Sequence, residues 1–173
     1  MNVPARKARF RGNGEYRDEA EILLEEAGDV AGVFRGRPRS VIMKCPDGCG
    51  DTLVINLDPR SGKAWWLDIR GGALSLYPSV WRENGCRSHF ILWRDHILWC
   101  GRFEDDNEEP AYDTALEEVV LAALDGRRYR SAGDIALELG EIGWEVSRAL
   151  GRLVLADLAD EGSKDLRGHF RLR

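Results

Sequence analysis

Apolar residues occur in short β-type runs through the first hundred positions and at helical spacing in the last third of the chain. The short runs are separated by segments rich in Gly, Pro and Asp, a pattern that predicts strands joined by tight turns. The predicted strands cover residues 30–34, 39–44, 52–57, 64–69, 73–77, 89–93 and 97–100. One short helix is predicted over residues 18–27, because acidic residues surround an apolar group there and Gly28 is a natural stop.

The tail of the chain follows a helical pattern instead. Residues 114–117 have the form of a capping box, and apolar residues then recur at spacings of three and four until an Asp-Gly pair at 125–126 ends the helix. Two further helices are predicted to begin near Ser131 and Trp144, the first of them ending at Gly140. Residues 166–173 alternate as a half-buried strand does. Three helices followed by a β-hairpin predict a winged helix-turn-helix.

The chain as a whole is therefore predicted to be α+β, with a small Trp-rich antiparallel β domain followed by a winged helix-turn-helix domain. Its predicted parts are a basic arm with a short helix (1–29), a β-rich zinc-binding domain (30–103), an acidic linker (104–111) and a winged-helix-like domain (112–173). Five of the six tryptophans fall in the β-rich part: Trp65, Trp66, Trp81, Trp93 and Trp99. Core packing is their expected role, ahead of stacking on nucleic-acid bases.

Charge separates the parts of the chain. The formal net charge of the 173 residues is −5, and only the first 44 residues are basic, with a net +2 against −4 for residues 45–109 and −3 for 110–173. In the predicted winged helix, DNA binding is possible through Arg148, Arg152 and Arg171, but acidic neighbours such as Glu145 would repel phosphates. We expect a domain that docks a protein partner, and DNA binding by a winged-helix regulator remains an alternative.

The expected location is the cytoplasm. The first residues lack the apolar core of a signal peptide, and no apolar run approaches the roughly 18 residues that a membrane span needs, so no membrane partner is expected. In a reducing compartment, cysteines in short pairs indicate metal binding or catalysis more often than disulfides.

Two short pairs of metal-binding residues supply the predicted site. Cys45 and Cys49 bracket a Gly-containing turn, and Cys86 and His89 lie where a loop enters a strand. Three thiolates and one imidazole form the soft, four-donor set that zinc prefers, so the sequence predicts a zinc-ribbon-like site. His96 and Cys100 are substitute ligands.

Three stretches of the β-rich part resemble a bacterial family encoded beside ubiquitin-like, Bub-type conjugation operons that are linked to phage defence. They are Cys-Pro-Asp-Gly-Cys-Gly at 45–50, Ser-Leu-Tyr-Pro-Ser-Val at 75–80, and Cys-Arg-Ser-His-Phe at 86–90 followed by Ile-Leu-Trp at 97–99. The winged-helix-like tail lies outside the resemblance. The resemblance implies a partnership with a ubiquitin-like modifier or its conjugation enzymes, and a peptidase role in processing or removing the modifier.

A peptidase of the serine–histidine type needs a nucleophile beside an imidazole. Ser79 and Ser88 are the candidate nucleophiles, and His89 or His96 the candidate base. An acid such as Asp68 or Asp95 would orient that base. The zinc-site and peptidase interpretations compete for His89, because a His89 nitrogen bound to zinc in a closed site cannot act as a base. If His89 binds zinc, His96 is the base that remains.

The leading prediction is a zinc-binding accessory or adaptor protein of a bacterial ubiquitin-like conjugation system. Its alternatives are a Ser/His peptidase that processes or deconjugates the modifier, and a winged-helix DNA-binding regulator.

Overall fold

A computed structural model describes residues 3–173, so Met1 and Asn2, the start of the predicted basic arm, lie outside the described residues. The chain divides into two compact units, the first ending at Pro110 and the second formed by Ala111–Arg173. The architecture is α+β, and its sheets are antiparallel apart from one parallel edge pairing.

Two four-stranded sheets build the first unit, and each follows the order of its strands in the chain. The strands of the first sheet are β1 (Arg9–Gly14), β2 (Asp29–Phe34), β3 (Pro38–Lys44) and β4 (Thr52–Asn56). The strands of the second sheet are β5 (Trp66–Arg70), β6 (Ala73–Trp81), β7 (His89–Trp93) and β8 (His96–Trp99). Consecutive strands pair as hairpins from β2 to β4 and from β5 to β8, as the Gly- and Asp-containing turns predict.

One apolar core joins the two sheets. Val41, Met43 and Ile55 from the first sheet belong to the same buried cluster as Leu76 and Phe90 from the second. The other face of the first sheet is covered by α1 (Arg17–Glu21), which is shorter than the predicted helix over 18–27. The β2 strand is therefore buried on both faces, which accounts for its nearly continuous apolar sequence.

The predicted basic arm includes a strand that the sequence did not indicate. Residues of this arm form β1, which pairs in parallel with β2 at the edge of the first sheet. Arg9 Nε donates to the buried Asp29 Oδ1 over 2.9 Å, and Arg9 Nη2 lies 2.8 Å from Glu26. A buried carboxylate requires such partners, and they hold the arm in place.

The predicted acidic linker is also held against the first unit. Asn107 Oδ1 accepts the backbone amide of Trp99, and Asn107 Nδ2 donates to the carbonyl oxygen of Trp99, both over 2.8 Å. Arg6 pairs with Asp106 over 3.3 Å. One amide side chain thus extends the hydrogen-bonding edge of β8.

A bulge interrupts β6 where it pairs with β7. Leu76 lies opposite Leu92 and Val80 lies opposite Phe90, so three residues of β6 face a single residue of β7. These three residues are Tyr77, Pro78 and Ser79, and the Tyr77–Pro78 peptide bond is cis. Bulges re-aim side chains near functional sites, and this one carries one of the two predicted nucleophiles.

The second unit contains three helices and a small sheet. The helices are α2 (Leu116–Ala123), α3 (Ala132–Leu139) and α4 (Gly143–Leu155). The strands β9 (Arg130–Ser131), β10 (Ala159–Glu161) and β11 (His169–Leu172) form an antiparallel sheet with β11 in the middle. Ser131 caps α3 by accepting the Asp134 amide over 3.1 Å, and Gly140 ends it in the left-handed conformation, as the sequence predicts. Among the described residues, no helix is long and apolar enough to cross a membrane.

Replacing Phe90 by alanine tests the shared core. The ring is fully buried between the sheets, so Phe90→Ala should lower the free energy of unfolding by about 3–5 kcal/mol. Ile69→Ala, on the same sheet but 54% exposed, should change it by less than about 1 kcal/mol. Urea denaturation followed by tryptophan fluorescence measures both; equal losses would contradict the packing described here.

Candidate functional site

Three cysteines converge where two connections of the first unit meet. Cys45 and Cys49 lie on the turn between β3 and β4, and Cys86 lies on the loop between β6 and β7. The sulfur atoms of Cys45 and Cys86 are 3.6 Å apart. With Asp47 these residues form a group whose potential ligand atoms all lie within 4.8 Å of one another.

The turn places Asp47 inside this group. Its Oδ1 accepts the Cys49 backbone amide over 2.8 Å and the Cys45 thiol over 3.2 Å. Burial raises the pKa of Asp47, but these hydrogen bonds outweigh burial and lower it to about 2. Asp47 is therefore a carboxylate at neutral pH, with its charge directed at the sulfurs.

The surroundings of the three thiols differ. Burial is the main cause that raises the pKa of Cys45 to about 12. Burial also opposes ionisation of Cys86, but hydrogen bonds from Ser88 more than offset it, and the pKa of Cys86 is lowered. The Ser88 hydroxyl is 2.9 Å from Cys86 Sγ and 3.5 Å from Cys45 Sγ.

Arg82 brings a positive charge to the group. Its Nη1 donates to Cys86 Sγ over 3.1 Å and lies 3.6 Å from Cys49 Sγ, while its Nη2 donates to Asp51 over 2.9 Å. Burial lowers the pKa of Arg82, but its acidic partners raise it further above its ordinary value, so the guanidinium stays charged. It offsets part of the negative charge that ionised thiols and Asp47 would bring together.

The chemistry of this donor set fits a divalent cation with a preference for sulfur. Four ligands placed tetrahedrally about 2.3 Å from one ion are about 3.8 Å from each other. The 3.6 Å between the Cys45 and Cys86 sulfurs is close to that value. Cys45, Asp47, Cys49 and Cys86 could therefore hold a metal ion.

His89, the predicted fourth ligand, is not a member of this group. Its Nε2 lies 3.0 Å from the hydroxyl oxygen of Ser79. The structure thus brings together Cys45, Cys49 and Cys86 from the predicted ligand set, and puts Asp47 where His89 was expected. Because His89 faces a serine, the conflict between its roles as ligand and base does not arise in this arrangement.

The Ser79–His89 pair has the geometry of a nucleophile beside its base. A separation of 3.0 Å is within hydrogen-bond reach, as proton transfer from serine to imidazole requires. For Ser79 to donate, Nε2 must be unprotonated, and the proton of the neutral ring is then on Nδ1. Within the described part of the chain, no carboxylate contacts the His89 ring.

Two tryptophans hold this pair in position. The indole Nε1 of Trp65 donates to the Ser79 carbonyl oxygen over 3.2 Å and thereby fixes the backbone of the bulge. Trp81 lies directly opposite His89 in the β6–β7 ladder, and their rings stack with centroids 5.6 Å apart. Stacking on Trp81 orients the imidazole, a task that a carboxylate performs in many serine hydrolases.

The other predicted site residues lie in different surroundings. Ser88 is fully buried against the cysteines. His96 Nε2 is 2.7 Å from Lys7 Nζ, and His96 Nδ1 is 2.9 Å from the Arg94 carbonyl oxygen.

The two carboxylates predicted to orient the base are also engaged elsewhere. Asp68 pairs with Arg70 over 3.3 Å, and Asp95 accepts the Leu74 amide over 2.8 Å. Cys100, a substitute ligand in the sequence prediction, does not belong to the four-residue group. None of these residues joins Ser79 and His89.

The sequence did not mark Asp47 and Arg82 as site residues. Trp65 and Trp81 were expected to pack in the core, but Trp65 contacts the bulge and Trp81 is 64% exposed beside His89. The position of Asp47 between two cysteines was a readable signal, because a carboxylate on a metal-binding turn is itself a potential ligand. The other three residues act through contacts between strands that no spacing along the chain reveals.

Three arginines of the second unit pair with carboxylates. Arg152 lies 3.6 Å from Glu117, Arg171 lies 3.7 Å from Asp160, and Arg173 lies 2.6 Å from Asp157. These pairings neutralise charge that phosphate contacts would need, and they do not support the DNA-binding alternative.

Fold and site together define a β-rich unit that carries a thiol-rich cluster and, separately, a serine–histidine pair of the kind found in serine hydrolases. Residues 17–100 match a protein family described as bacterial ubiquitination-like system serine protease (BubE). The match includes the cysteine cluster and the Ser79–His89 pair, ends before the second unit, and supports the predicted link to a Bub-type system. No curated protein and no solved structure matches the chain.

The three clustered thiols should differ in reactivity in metal-free protein. Cys45 is fully buried with a raised pKa, whereas Cys49 is exposed, so iodoacetamide should modify Cys49 at least about tenfold faster than Cys45. Arg82→Met removes the cation beside Cys86 and should slow modification of Cys86, with Cys100 as the internal reference. Peptide mass mapping over time gives each rate, and rapid labelling of Cys45 in folded protein would contradict this geometry.

Proposed function

We propose that this chain is a serine protease of a bacterial ubiquitin-like conjugation system, with Ser79 as nucleophile and His89 as general base. The observation that carries the proposal is the 3.0 Å separation between Ser79 Oγ and His89 Nε2. The serine-protease description of the family matched by residues 17–100 supports it. The sequence alone favours an adaptor over a peptidase, whereas the paired side chains favour the peptidase.

The proposed reaction is acyl transfer through a covalent intermediate. Ser79 Oγ attacks the carbonyl carbon of the scissile bond while His89 Nε2 removes the hydroxyl proton. The tetrahedral intermediate collapses, the C–N bond breaks, and His89 gives the proton to the departing amine. Water, deprotonated by the same nitrogen, then attacks the acyl ester and releases the carboxylic acid and free Ser79.

The proposed substrate is a ubiquitin-like modifier, either as an extended precursor or joined to another protein. This part of the proposal depends on the family description, which places the family in a ubiquitination-like system. Processing of the precursor and removal of the modifier from another protein both hydrolyse an amide at the end of the modifier, so one nucleophile can carry out either reaction.

We further propose that the ion bound by Cys45, Asp47, Cys49 and Cys86 is zinc in a structural role. Thiolates favour zinc over magnesium or calcium, and four protein donors leave no open position for catalysis. The ion would join the β3–β4 turn to the β6–β7 loop. Trp81 and His89 lie at the two ends of that loop and pair with each other, so fixing it would keep the imidazole beside Ser79.

The second unit is proposed to be a winged-helix-like module that docks a protein of the conjugation system. The order of its helices and strands, with β11 between β9 and β10, supports this comparison. Its net charge of −3 and its paired arginines favour a protein partner over DNA.

Loss of the nucleophile tests the catalytic proposal. Ser79→Ala should reduce cleavage of an extended modifier precursor by at least about 1,000-fold, and His89→Gln by a similar factor, because the two residues act as a unit. Cleavage is followed by gel mobility and mass of the product. A fluorophosphonate probe should label Ser79 in the wild-type protein and fail to label the His89→Gln variant.

Two matched variants separate this assignment from the other residues predicted from sequence. His96→Ala should stay within about threefold of wild type, because the His96 ring contacts Lys7 and the Arg94 backbone. Ser88→Ala should retain cleavage per folded molecule, since that hydroxyl is fully buried against sulfur. A probe adduct on Ser88, or inactivity of His96→Ala with an active His89→Gln, would refute the proposed pair.

Metal content distinguishes the two candidate ligand sets. Protein purified without added metal should carry close to one zinc per chain. Asp47→Ala should weaken zinc binding by about 10-fold or more, whereas His89→Ala should leave the zinc content unchanged. Elemental analysis and competition with a chromogenic chelator measure both; zinc lost from His89→Ala and kept by Asp47→Ala would restore the ligand set predicted from sequence.

A further inference from the structure

We infer that the outer face of the second sheet binds an extended polypeptide whose apolar side chains flank the cleaved bond, with Trp66, Tyr77 and Trp81 as the residues that determine specificity. The inference deepens the proposed function and rests on it, because it assigns the class of segment that Ser79 receives.

Strand register puts these aromatic residues on one face. Leu76 and Val80 lie opposite Leu92 and Phe90, and all four are buried in the core between the sheets. Their neighbours Tyr77, Trp81 and His89 must therefore point to the other face, because side chains alternate along a strand. Trp66 is paired with Tyr77 and shares that face.

The serine hydroxyl is on the same face. Ser79 Oγ contacts His89 Nε2, and Trp81 stacks on the His89 ring. On the other side of Ser79 along β6, Tyr77 stacks with Trp66 at a centroid separation of 6.0 Å. The nucleophile thus lies between two aromatic pairs, Trp66–Tyr77 and Trp81–His89.

Both tryptophans are unusually exposed. Trp81 is 64% exposed and Trp66 is 41% exposed, although both occur in regular strands. When apolar groups cover an exposed indole ring, its apolar surface is removed from water, and this contributes favourably to the free energy of binding. These two tryptophans are accordingly available to a ligand, unlike Trp93 and Trp99, which are buried.

The spacing suits an extended chain. Side chains that point to one side of an extended peptide repeat about every 6.6 Å. Tyr77 and Trp81 lie two positions before and after Ser79 in β6, and the bulge turns the Ser79 hydroxyl toward His89 between them. A peptide laid along this face with its scissile carbonyl at Ser79 places one side chain against the Trp66–Tyr77 pair and another against Trp81.

The charge of the sheet distinguishes between two kinds of ligand, a polypeptide and a nucleic acid, that exposed aromatic rings can bind. Exposed aromatic residues also stack nucleic-acid bases, but single-stranded nucleic acid needs a basic groove. The second sheet and its loops, residues 66–99, contain four arginines and three carboxylates, a net charge of +1. Two of these arginines, Arg70 and Arg82, pair with Asp68 and Asp51. These strands and loops therefore offer no strongly basic groove for a polyanion, and an apolar polypeptide segment fits this surface.

Binding to a catalytically inactive protein tests the inference without relying on cleavage. In the Ser79→Ala background, a fluorescein-labelled octapeptide with leucine on both sides of a central alanine should bind at least about tenfold more tightly than the same peptide with aspartate at those positions. Adding Trp66→Ala or Trp81→Ala should raise the Kd of the leucine peptide at least about fivefold. Phe34→Ala is the matched control, since Phe34 is 52% exposed but belongs to the first sheet.

Several results would overturn the inference. They are equal binding of the leucine and aspartate peptides, binding unaffected by both tryptophan substitutions, tighter tryptophan-dependent binding of a labelled oligothymidylate, or a protein dimer that the Trp66→Ala substitution dissociates. No binding of either peptide would also overturn it. Fluorescence anisotropy and sedimentation velocity distinguish these outcomes.

Cleavage by the wild-type protein separates this inference from the proposed function. If the leucine peptide binds through the tryptophans but neither it nor a modifier precursor is cleaved, the protease proposal fails and the binding face stands. If a precursor is cleaved in a Ser79-dependent manner while Trp66→Ala changes neither kcat/KM nor the preference for leucine, the binding face fails and the protease proposal stands.

Discussion

The contact between the β3–β4 turn and the β6–β7 loop is the constraint on which the first unit depends. Cys45 and Cys86 are 41 positions apart in sequence, yet their sulfurs approach within 3.6 Å, with the buried Ser88 hydroxyl beside both. Closing such a long connection costs conformational entropy, which the apolar core between the two sheets offsets; the thiols themselves add little. A metal ion shared by the two connections would add to this attraction.

This constraint explains how a small two-sheet unit can hold a reactive pair near its surface. The Arg82 amide donates to the Ser88 carbonyl oxygen over 2.8 Å, so the β6–β7 loop is closed immediately beside the Trp81–His89 pair. On β6, the bulge turns Ser79 toward the imidazole, and Trp65 anchors its carbonyl. The cluster and the pair are thus separate in chemistry but connected through one loop.

Sequence patterns could predict much of the architecture because it follows local rules. Alternating apolar runs and turn residues predicted strands β2 to β8, although not that β4 and β5 belong to different sheets. The Ser131 cap and the Gly140 stop predicted the ends of α3. The sequence could not predict that Arg9–Gly14 form strand β1, because an ion pair between Arg9 and the distant, buried Asp29 holds this strand in place. The local sequence is basic and polar, and contact with a distant residue makes it a strand.

The site shows the same division between local and distant information. Spacing grouped Cys45 and Cys49 with Cys86, which the structure also brings together, and it added His89 because a thiol followed three positions later by an imidazole resembles half of a zinc site. Which way an imidazole points at the start of a strand is decided by its cross-strand neighbours. Here those neighbours are Trp81 and Ser79, and the bulge that brings Ser79 into reach leaves no periodic signal in the sequence.

The central claim is that the metal cluster and the Ser79–His89 pair use different residues. X-ray absorption spectroscopy at the zinc edge of the purified protein tests this most directly, because sulfur, oxygen and imidazole ligands scatter differently. The account predicts three sulfur ligands at about 2.3 Å and one oxygen ligand at about 2.0–2.2 Å, with no imidazole signal. Multiple scattering from one imidazole, together with three sulfurs, would show that His89 or another histidine binds the ion and would contradict the account.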